Sequence, residues 1–329
     1  MRSRELVSAD EAPSVEDFPV VHVAMATLNG RRWLPAQVRS ILNQEGVQVR
    51  LVVSDDGSTD GTREWLEELA ERDPRVTLLR PRGGEPGVGA NFLYALDALD
   101  VAPGEFAAFS DQDDLWKPGK LARQVALLEA DGVDAVSSDV VAFKERPGEP
   151  AEKSVVHKAT PQVAWDFVFE SPGPGSTFLL TQPAWQVVVD EVRAGGSRGI
   201  WMHDWYAYAL VRAAGLGWFI DDQPQVAYRQ HEANELGEHR GAEAVRTRMD
   251  HLRSGKYREQ FTLTAQSARR VGERAGRDED WSAGLAELAA LLEDRSFGSR
   301  ARLFAMFRQI RRKPVQGLAL AGAGLLGVW

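Results

Sequence analysis

The chain of 329 residues contains no cysteine. That excludes a disulfide framework, a thiolate-ligated zinc site and a cysteine nucleophile, and it fits a reducing compartment. Long apolar runs are missing too. Nothing approaches the roughly 18–20 residues that span a bilayer, and the longest candidate, Val315–Trp329, is short and rich in glycine. The opening MRSRELVSADEAPSVEDFP lacks the apolar stretch of a secretory signal. The phosphate-loop pattern GxxxxGK[ST] does not occur, and Gly83, Gly84, Gly87 and Gly89 do not supply GxGxxG directly after the first strand. An ATPase of that type and a dinucleotide-dependent dehydrogenase are therefore disfavoured. No internal repeat is visible.

One segment lacks acid altogether. Arg295–Trp329 holds seven basic residues and no acidic one, so a formal charge of −9 leaves −16 on the rest of the chain. So acidic a body is ill suited to sequence-blind binding of nucleic acid, which rests on neutralising phosphates. The basic tail, ending in apolar residues, suits an anionic membrane surface or docking on the acidic body. Together these features predict a cytoplasmic protein, peripheral on the inner face of the cell membrane if the tail binds lipid. The composition, 43% hydrophobic and 26% charged, is that of a globular protein rather than a disordered or fibrous one.

The apolar pattern predicts strands at Val20–Ala26, Val49–Ser54, Val76–Leu79, Glu105–Ser110 and Ala135–Ser138. Helices are expected between them: Trp33–Asn43, Thr62–Glu71, Asn91–Leu99 and Lys117–Glu129. This alternation predicts an α/β fold with a mainly parallel sheet flanked by helices. Further on, Lys144–Lys153 reads as a polar loop, Thr177–Thr181 as a strand and Trp201–Ala213 as a helix. From Gly241 to Glu293 the pattern is helical and charged. We expect a loose leader over 1–17, a main domain over 18–238 and a helical C-terminal region over 239–329.

Ligands of parallel sheets sit beyond the carboxyl ends of the strands, and two acidic clusters fall there. Asp111-Gln112-Asp113-Asp114 packs three carboxylates into four positions. They either share a hard cation or cap and solvate a loop. Asp55-Asp56-Gly57-Ser58 is good turn chemistry, and a carboxylate in it could also accept from a base imide or a ribose hydroxyl. Asn91 either caps its helix or reaches a ligand. Asp139 lines a cleft or makes a structural hydrogen bond. Trp116 and Trp205 adjoin the candidate loops and either fill core or line a site. His22, inside the first strand, reads as a core histidine, whereas His157, His239 and His251 have no informative context.

Thr27-Leu28-Asn29-Gly30, Asp55 through Thr62, Ser110 through Asp114 with Trp116 and Lys120, His203-Asp204-Trp205 and Tyr228-Arg229-Gln230-His231 occur in this order. In combination they resemble a family 2 glycosyltransferase of the GT-A fold, in its rhamnosyltransferase-like branch, over roughly residues 20–235. The resemblance implies a nucleotide-diphosphate sugar donor, with dTDP-rhamnose favoured and UDP-sugars as the alternative. It also implies Mg²⁺ or Mn²⁺, and a glycan or polyprenyl-linked acceptor. It puts Thr27, Asn29, Asp55, Asp56, Asn91, Asp111, Gln112 and Lys120 on the donor side. Asp111, Asp113 and His231 would hold the metal, and Asp204 would be the catalytic base. Trp116, Asp139 and Trp205 would face the acceptor. Two departures stand out: Leu28 replaces a frequent Tyr, and the loop Pro81–Gly89 is unusually rich in Gly and Pro.

Overall fold

In the computed structural model, residues 18–146, 149–231, 250 and 252–329 are described. The leader over 1–17, the boundary at 238/239, the onset of the helical run at Gly241, His239 and His251 lie outside the described residues.

The first half alternates as the apolar pattern predicts: β1 (Val20–Thr27), α1 (Leu34–Leu42), β2 (Gln48–Asp55), α2 (Thr62–Arg72), β3 (Val76–Leu78), α3 (Val88–Asp97) and β4 (Phe106–Ser110). Strands β3, β2, β1 and β4 are neighbours in that order and run parallel. Strand side chains alternate between faces, and β1 shows it. Val21, Val23 and Met25 join a core with α1, α2 and the later helix α4, while Ala24 and Ala26 join a second core with α3. Burial on both faces explains the near-continuous apolar runs. His22 is buried and hydrogen-bonded to Glu105 (2.7 Å), as a satisfied core histidine should be. In register, Thr27 lies beside Asp55 and Met25 beside Ser110. The carboxyl ends of β1, β2 and β4 therefore share one edge.

The second half departs from the expected parallel pattern. After β5 (Leu115–Trp116) and α4 (Lys120–Asp131) come β6 (Ala135–Arg146) and β7 (Glu149–Val156), an antiparallel pair spanning the segment read as a polar loop. Its charges belong to an edge: β7 pairs only with β6, and charged edge strands discourage pairing with other chains. Next come α5 (Asp166–Phe169), a 3-10 turn at Gly175–Thr177, β8 (Leu179–Thr181), α6 (Gln182–Arg193), α7 (His203–Ala213) and β9 (Trp218–Arg229). β8 lies antiparallel between β4 and β6, and β9 runs parallel to β6 and antiparallel to β5. The nine-stranded sheet is thus parallel over its first four strands and mixed beyond them.

From Lys256 on, the described residues form α8 (Lys256–Arg274), α9 (Glu279–Glu293), α10 (Phe297–Ala305), α11 (Phe307–Ile310) and α12 (Pro314–Leu325). They extend the second core, in which Phe261, Leu288, Leu303, Ile310 and Trp329 join Phe92, Phe178 and Tyr206. Trp205 stacks on Phe261 (centroids 5.9 Å apart, planes 3° apart), locking α7 to α8. Among the described residues, no helix is long and apolar enough to cross a membrane.

Candidate active site

Three loops at the carboxyl edge are tied to one another by side chains. After β1, the amide of Gln112 grips Leu28 at two points: its Oε1 accepts from Leu28 N, and its Nε2 donates to Leu28 O, both at 3.0 Å. Gly30 permits this approach, because a Cβ there would lie 2.1 Å from Gln112 Oε1. Asn29 adopts φ 50°, a left-handed conformation that Asn tolerates better than most residues. Its Oδ1 accepts from Thr59 N (2.8 Å), and its own N–H donates to Ser58 Oγ (2.8 Å). Gln112 and Asn29 thus shape the loops rather than standing free.

Asp55, buried at the end of β2, accepts from Thr27 Oγ1 (3.0 Å), Ser58 Oγ (2.5 Å), Ser58 N (3.1 Å) and Gly57 N (3.3 Å). Asp56 reaches the other way, to Arg82 Nη2 (2.9 Å) and Gly87 N (2.6 Å), and so fastens the Gly/Pro-rich loop 81–89. Both carboxylates already have partners in the free protein.

The second acidic cluster is more strained. Asp111 is half-buried at the end of β4, and Asp113 and Asp114 are buried. Burial pushes the Asp111 carboxyl well up, and Asp114, Asp113 and Asp204 push it further. Asp114 rises to about 8 through burial and the charge of Asp113, although it accepts from Ser176 Oγ (2.7 Å) and Arg229 N (3.1 Å). β9 ends at Arg229, two residues before His231, whose Nε2 lies 2.7 Å from Asp113 Oδ2. The imidazole is flattened on Trp33 (4.0 Å, 9°). Like charges held this close repel, and a cation offsets the repulsion.

Asp204 lies in the first turn of α7, half-buried, with Oδ1 accepting from its neighbour's amide, Trp205 N (2.8 Å). Burial raises its carboxyl to about 6, against the opposing pull of Trp205 N–H, Ser171 and Lys158. Asp204 lies near enough for its charge to add to the rise of the Asp111 carboxyl. Beside it, His203 is buried against Phe92 (3.7 Å, 16°) and is held neutral, its pKa lowered to about 3 by desolvation.

Five expected residues are engaged in structural contacts behind this edge. Asn91 is buried and clamps β1 to β2, donating to Thr27 O (3.3 Å) and Ser54 O (3.1 Å) while accepting from Ser54 Oγ (2.5 Å). Lys120 is fully buried, its ammonium 3.7 Å from the Trp116 ring centroid, and desolvation lowers its pKa well below the usual lysine value. Trp116 is therefore core. Asp139 is fully buried and saturated by His157 Nδ1 (2.9 Å), Lys158 N (2.6 Å) and Ala159 N (2.9 Å). It does not line a cleft; it builds the turn that carries Lys158. Trp205 packs on Phe261 of α8 instead of facing an open site.

Lys158 and Ser171, which flank Asp204, carried no signal in the sequence. Both sit in irregular segments, and their placement is fixed by the Asp139 turn and the bend at Gly173–Gly175. Two cavities elsewhere share Trp165: one of 480 Å³ with Phe167, Arg212 and Trp281, the other of 380 Å³ with Glu287 and Arg302. None of the candidate site residues lines either.

A divalent cation can be weighed against the donor set itself. Two carboxylates and an imidazole suit Mg²⁺ or Mn²⁺. Among the described residues, however, no three His, Asp or Glu side chains form a ready-made cage. Asp113 and His231, with Asp111 beside them, fit an ion whose remaining positions are filled by phosphate oxygens and water, as is usual for hard cations.

A sheet with its charged residues gathered at the carboxyl edge presents a ligand site, and comparison with known proteins gives its family. A family profile described as glycosyl transferase family 2 matches residues 22–180. The dTDP-rhamnosyl transferase RfbG of Shigella flexneri is 31% identical over 248 residues, covering 74% of this chain and 84% of that protein. The Escherichia coli enzyme WfgD is named UDP-Glc:alpha-D-GlcNAc-diphosphoundecaprenol beta-1,3-glucosyltransferase. It is 33% identical over 114 residues, 35% of this chain and 42% of its own. In shape, Staphylococcus aureus TarS 1–349, solved in complex with UDP-GlcNAc, superposes with a TM-score of 0.54 at 14% identity, covering 94% of this chain and 89% of that one. The chain belongs to glycosyltransferase family 2, on the GT-A fold, with a rhamnosyltransferase-like sequence.

Proposed function

We propose that this glycosyltransferase moves L-rhamnose from dTDP-rhamnose to a hydroxyl of a cell-envelope glycan or lipid-linked acceptor, with inversion at the anomeric carbon. The donor assignment leans on the relative named a dTDP-rhamnosyl transferase, which matches over most of both chains. The chemistry is carried by one observation: a half-buried carboxyl, Asp204, in the first turn of α7, raised to about 6 and within electrostatic reach of Asp111. A general base works best when its pKa lies near the operating pH.

Asp204 Oδ accepts the proton of the acceptor hydroxyl as that oxygen attacks the anomeric carbon. The nucleoside diphosphate departs on the opposite face, so a single displacement inverts the centre without a glycosyl-enzyme intermediate. Asp113 and His231, assisted by Asp111, would hold Mg²⁺ or Mn²⁺, which would offset the charge of the departing diphosphate. Asp55 and the loop over 27–30 form the wall against which the nucleoside lies.

The test is nucleotide release from a donor panel, with Mg²⁺, Mn²⁺ or EDTA. We expect dTDP from dTDP-rhamnose, and loss of release in EDTA. UDP released from UDP-galactofuranose or UDP-glucose instead would shift the assignment to those donors. No turnover of any donor would leave a binding protein.

We also propose that the tail touches an anionic membrane. Arg312 is buried in the body, but Val315, Leu318 and Leu326 are exposed on or just after α12, close to exposed Arg308 and Lys313. Apolar side chains flanked by cations are what an anionic lipid surface holds.

A further inference from the structure

Part of the basic tail does not face outward at all; it enters the body next to the elements that carry Asp204. Residues 309–312 run along residues 165–171 through a series of polar contacts. Gln309 O accepts from Trp165 N (2.8 Å), and Arg311 Nη1 donates to Phe169 O (2.8 Å). Arg312 makes three contacts: its N–H to Glu170 Oε1 (2.5 Å), and its Nη2 to Glu170 Oε2 (3.2 Å) and Ser171 O (2.7 Å). Its guanidinium side chain is only 1% exposed, with Asp166 Oδ2 3.7 Å from Nε. Nη2 carries the guanidinium's hydrogen bonds and ties it to the backbone and side chain at 170–171, while Nε and Nη1 are buried without a hydrogen-bond partner.

Beyond Ser171 the chain has no slack. The Ser171 hydroxyl donates to Gly173 O (2.5 Å) and lies near enough to the Asp204 carboxyl to favour its charged form. The bend then presses on α7. A Cβ at Gly175 would lie 2.7 Å from His203 Nε2 and 3.4 Å from Asp204 Cβ, and a Cβ at Gly173 would lie 2.8 Å from Thr177 Oγ1. The bend that follows residue 171 is therefore packed closely against His203 and Asp204.

We propose that Arg312 is a positioning residue for the catalytic base: through Ser171 it fixes the aspartate's orientation, so that the C-terminal tail completes the active site. The proposal rests on Asp204 being the base. Arg312 touches no substrate; it acts through Glu170 and Ser171. The titratable and polar groups within electrostatic or hydrogen-bonding reach of Asp204 are Asp111 just after β4, Lys158 after β7, Ser171 after α5 and Tyr228 on β9, with His203 preceding it in α7. Of these, Ser171 alone also contacts the tail through its backbone.

Two variants test this. Arg312→Lys keeps the charge but cannot bridge Glu170 and Ser171 with one fork. Ser171→Ala removes the last link while leaving the tail docked. Nucleotide release at saturating donor should fall about tenfold or more in both, because small misplacements of a reacting group are costly. Donor affinity, read by titration with dTDP, should stay within about twofold, since the donor loops are untouched. The acid limb of the pH–rate profile should move to higher pH, because the carboxylate loses a hydrogen bond that favours its charged form. Wild-type rate and profile in Ser171→Ala would overturn the relay, whatever Arg312→Lys does. If Asp204→Asn itself keeps its rate, the base assignment falls; if Asp204→Asn is inactive while both other variants are normal, only the positioning role falls.

Discussion

At the scale of single residues, the tasks proposed for Asp204 and Asp113 differ, and substitution can separate them. Burial lifts the Asp204 carboxyl to about 6. The base works only when ionised, so the rate should be constant above that pH and fall about tenfold per unit below it. Asp204→Asn preserves shape and removes the proton acceptor. Turnover should drop by about 10² to 10⁴, with donor binding by calorimetry unchanged; near-normal turnover would exclude this aspartate as base. Asp113→Ala should act on the other property and weaken cation-dependent donor binding. The acidic run brought Asp113 forward from the residues themselves, and the family resemblance brought Asp204 and His231. Ser171, Lys158 and Arg312 were not legible as active-site neighbours: irregular backbone places them, and no local pattern encodes a bend held by Asp139 or by a tail segment distant in the chain.

At the scale of elements, the strands buried on both faces were the easiest to read, and the solvent-facing ones the hardest. β6 and β7 carry Lys144, Glu145, Glu152 and Lys153, so their charge masked a hairpin whose outer strand lies at the sheet edge. β9 combines Asp221, Asp222 and Pro224 with apolar residues, and no expectation covered it, yet it delivers Arg229 and His231 to the acidic loop. In the tail, one stretch has two fates. Arg312 is inside, while Val315 and Leu318 face solvent. Deleting residues 296–329 would remove both, so membrane contact is better tested by Val315→Ser with Leu318→Ser. The full-length double variant should lose co-sedimentation with vesicles containing phosphatidylglycerol and keep its rate on soluble donor. The wild type should ignore phosphatidylcholine vesicles, where the attraction of about 1 kcal/mol per basic residue is missing. Unchanged sedimentation of the double variant would count against a lipid-facing α12.

At the scale of the whole molecule, the helical C-terminal region shares a core with the sheet. Leu303, Ile310, Ala321 and Trp329 belong to the same buried cluster as Ala24, Phe109 and Tyr206, with Phe261 in edge contact with Trp329 (5.7 Å, 82°). Close approaches join the layers: a Cβ at Gly284 in α9 would lie 2.7 Å from the Trp165 ring, and the Arg258 guanidinium binds Leu292 O (2.8 Å), Asp294 O (3.1 Å) and Trp329 O (3.2 Å). Composition and periodicity showed a helical, charged region and suggested an appendage, because they do not report which helix faces meet which sheet. The consequence is thermodynamic. Each large apolar side chain withdrawn from this core loses about 1.5–3 kcal/mol of burial, against a total stability of about 5–15 kcal/mol for a typical domain. Removing Leu303, Ile310 and Trp329 together therefore consumes most of that margin. The intact chain should unfold in one cooperative thermal transition by circular dichroism, and a chain ending at 295 should melt far lower or fail to fold. Two separate transitions in the intact chain, or an unchanged melt after truncation, would mean that the C-terminal helices stand as a unit of their own.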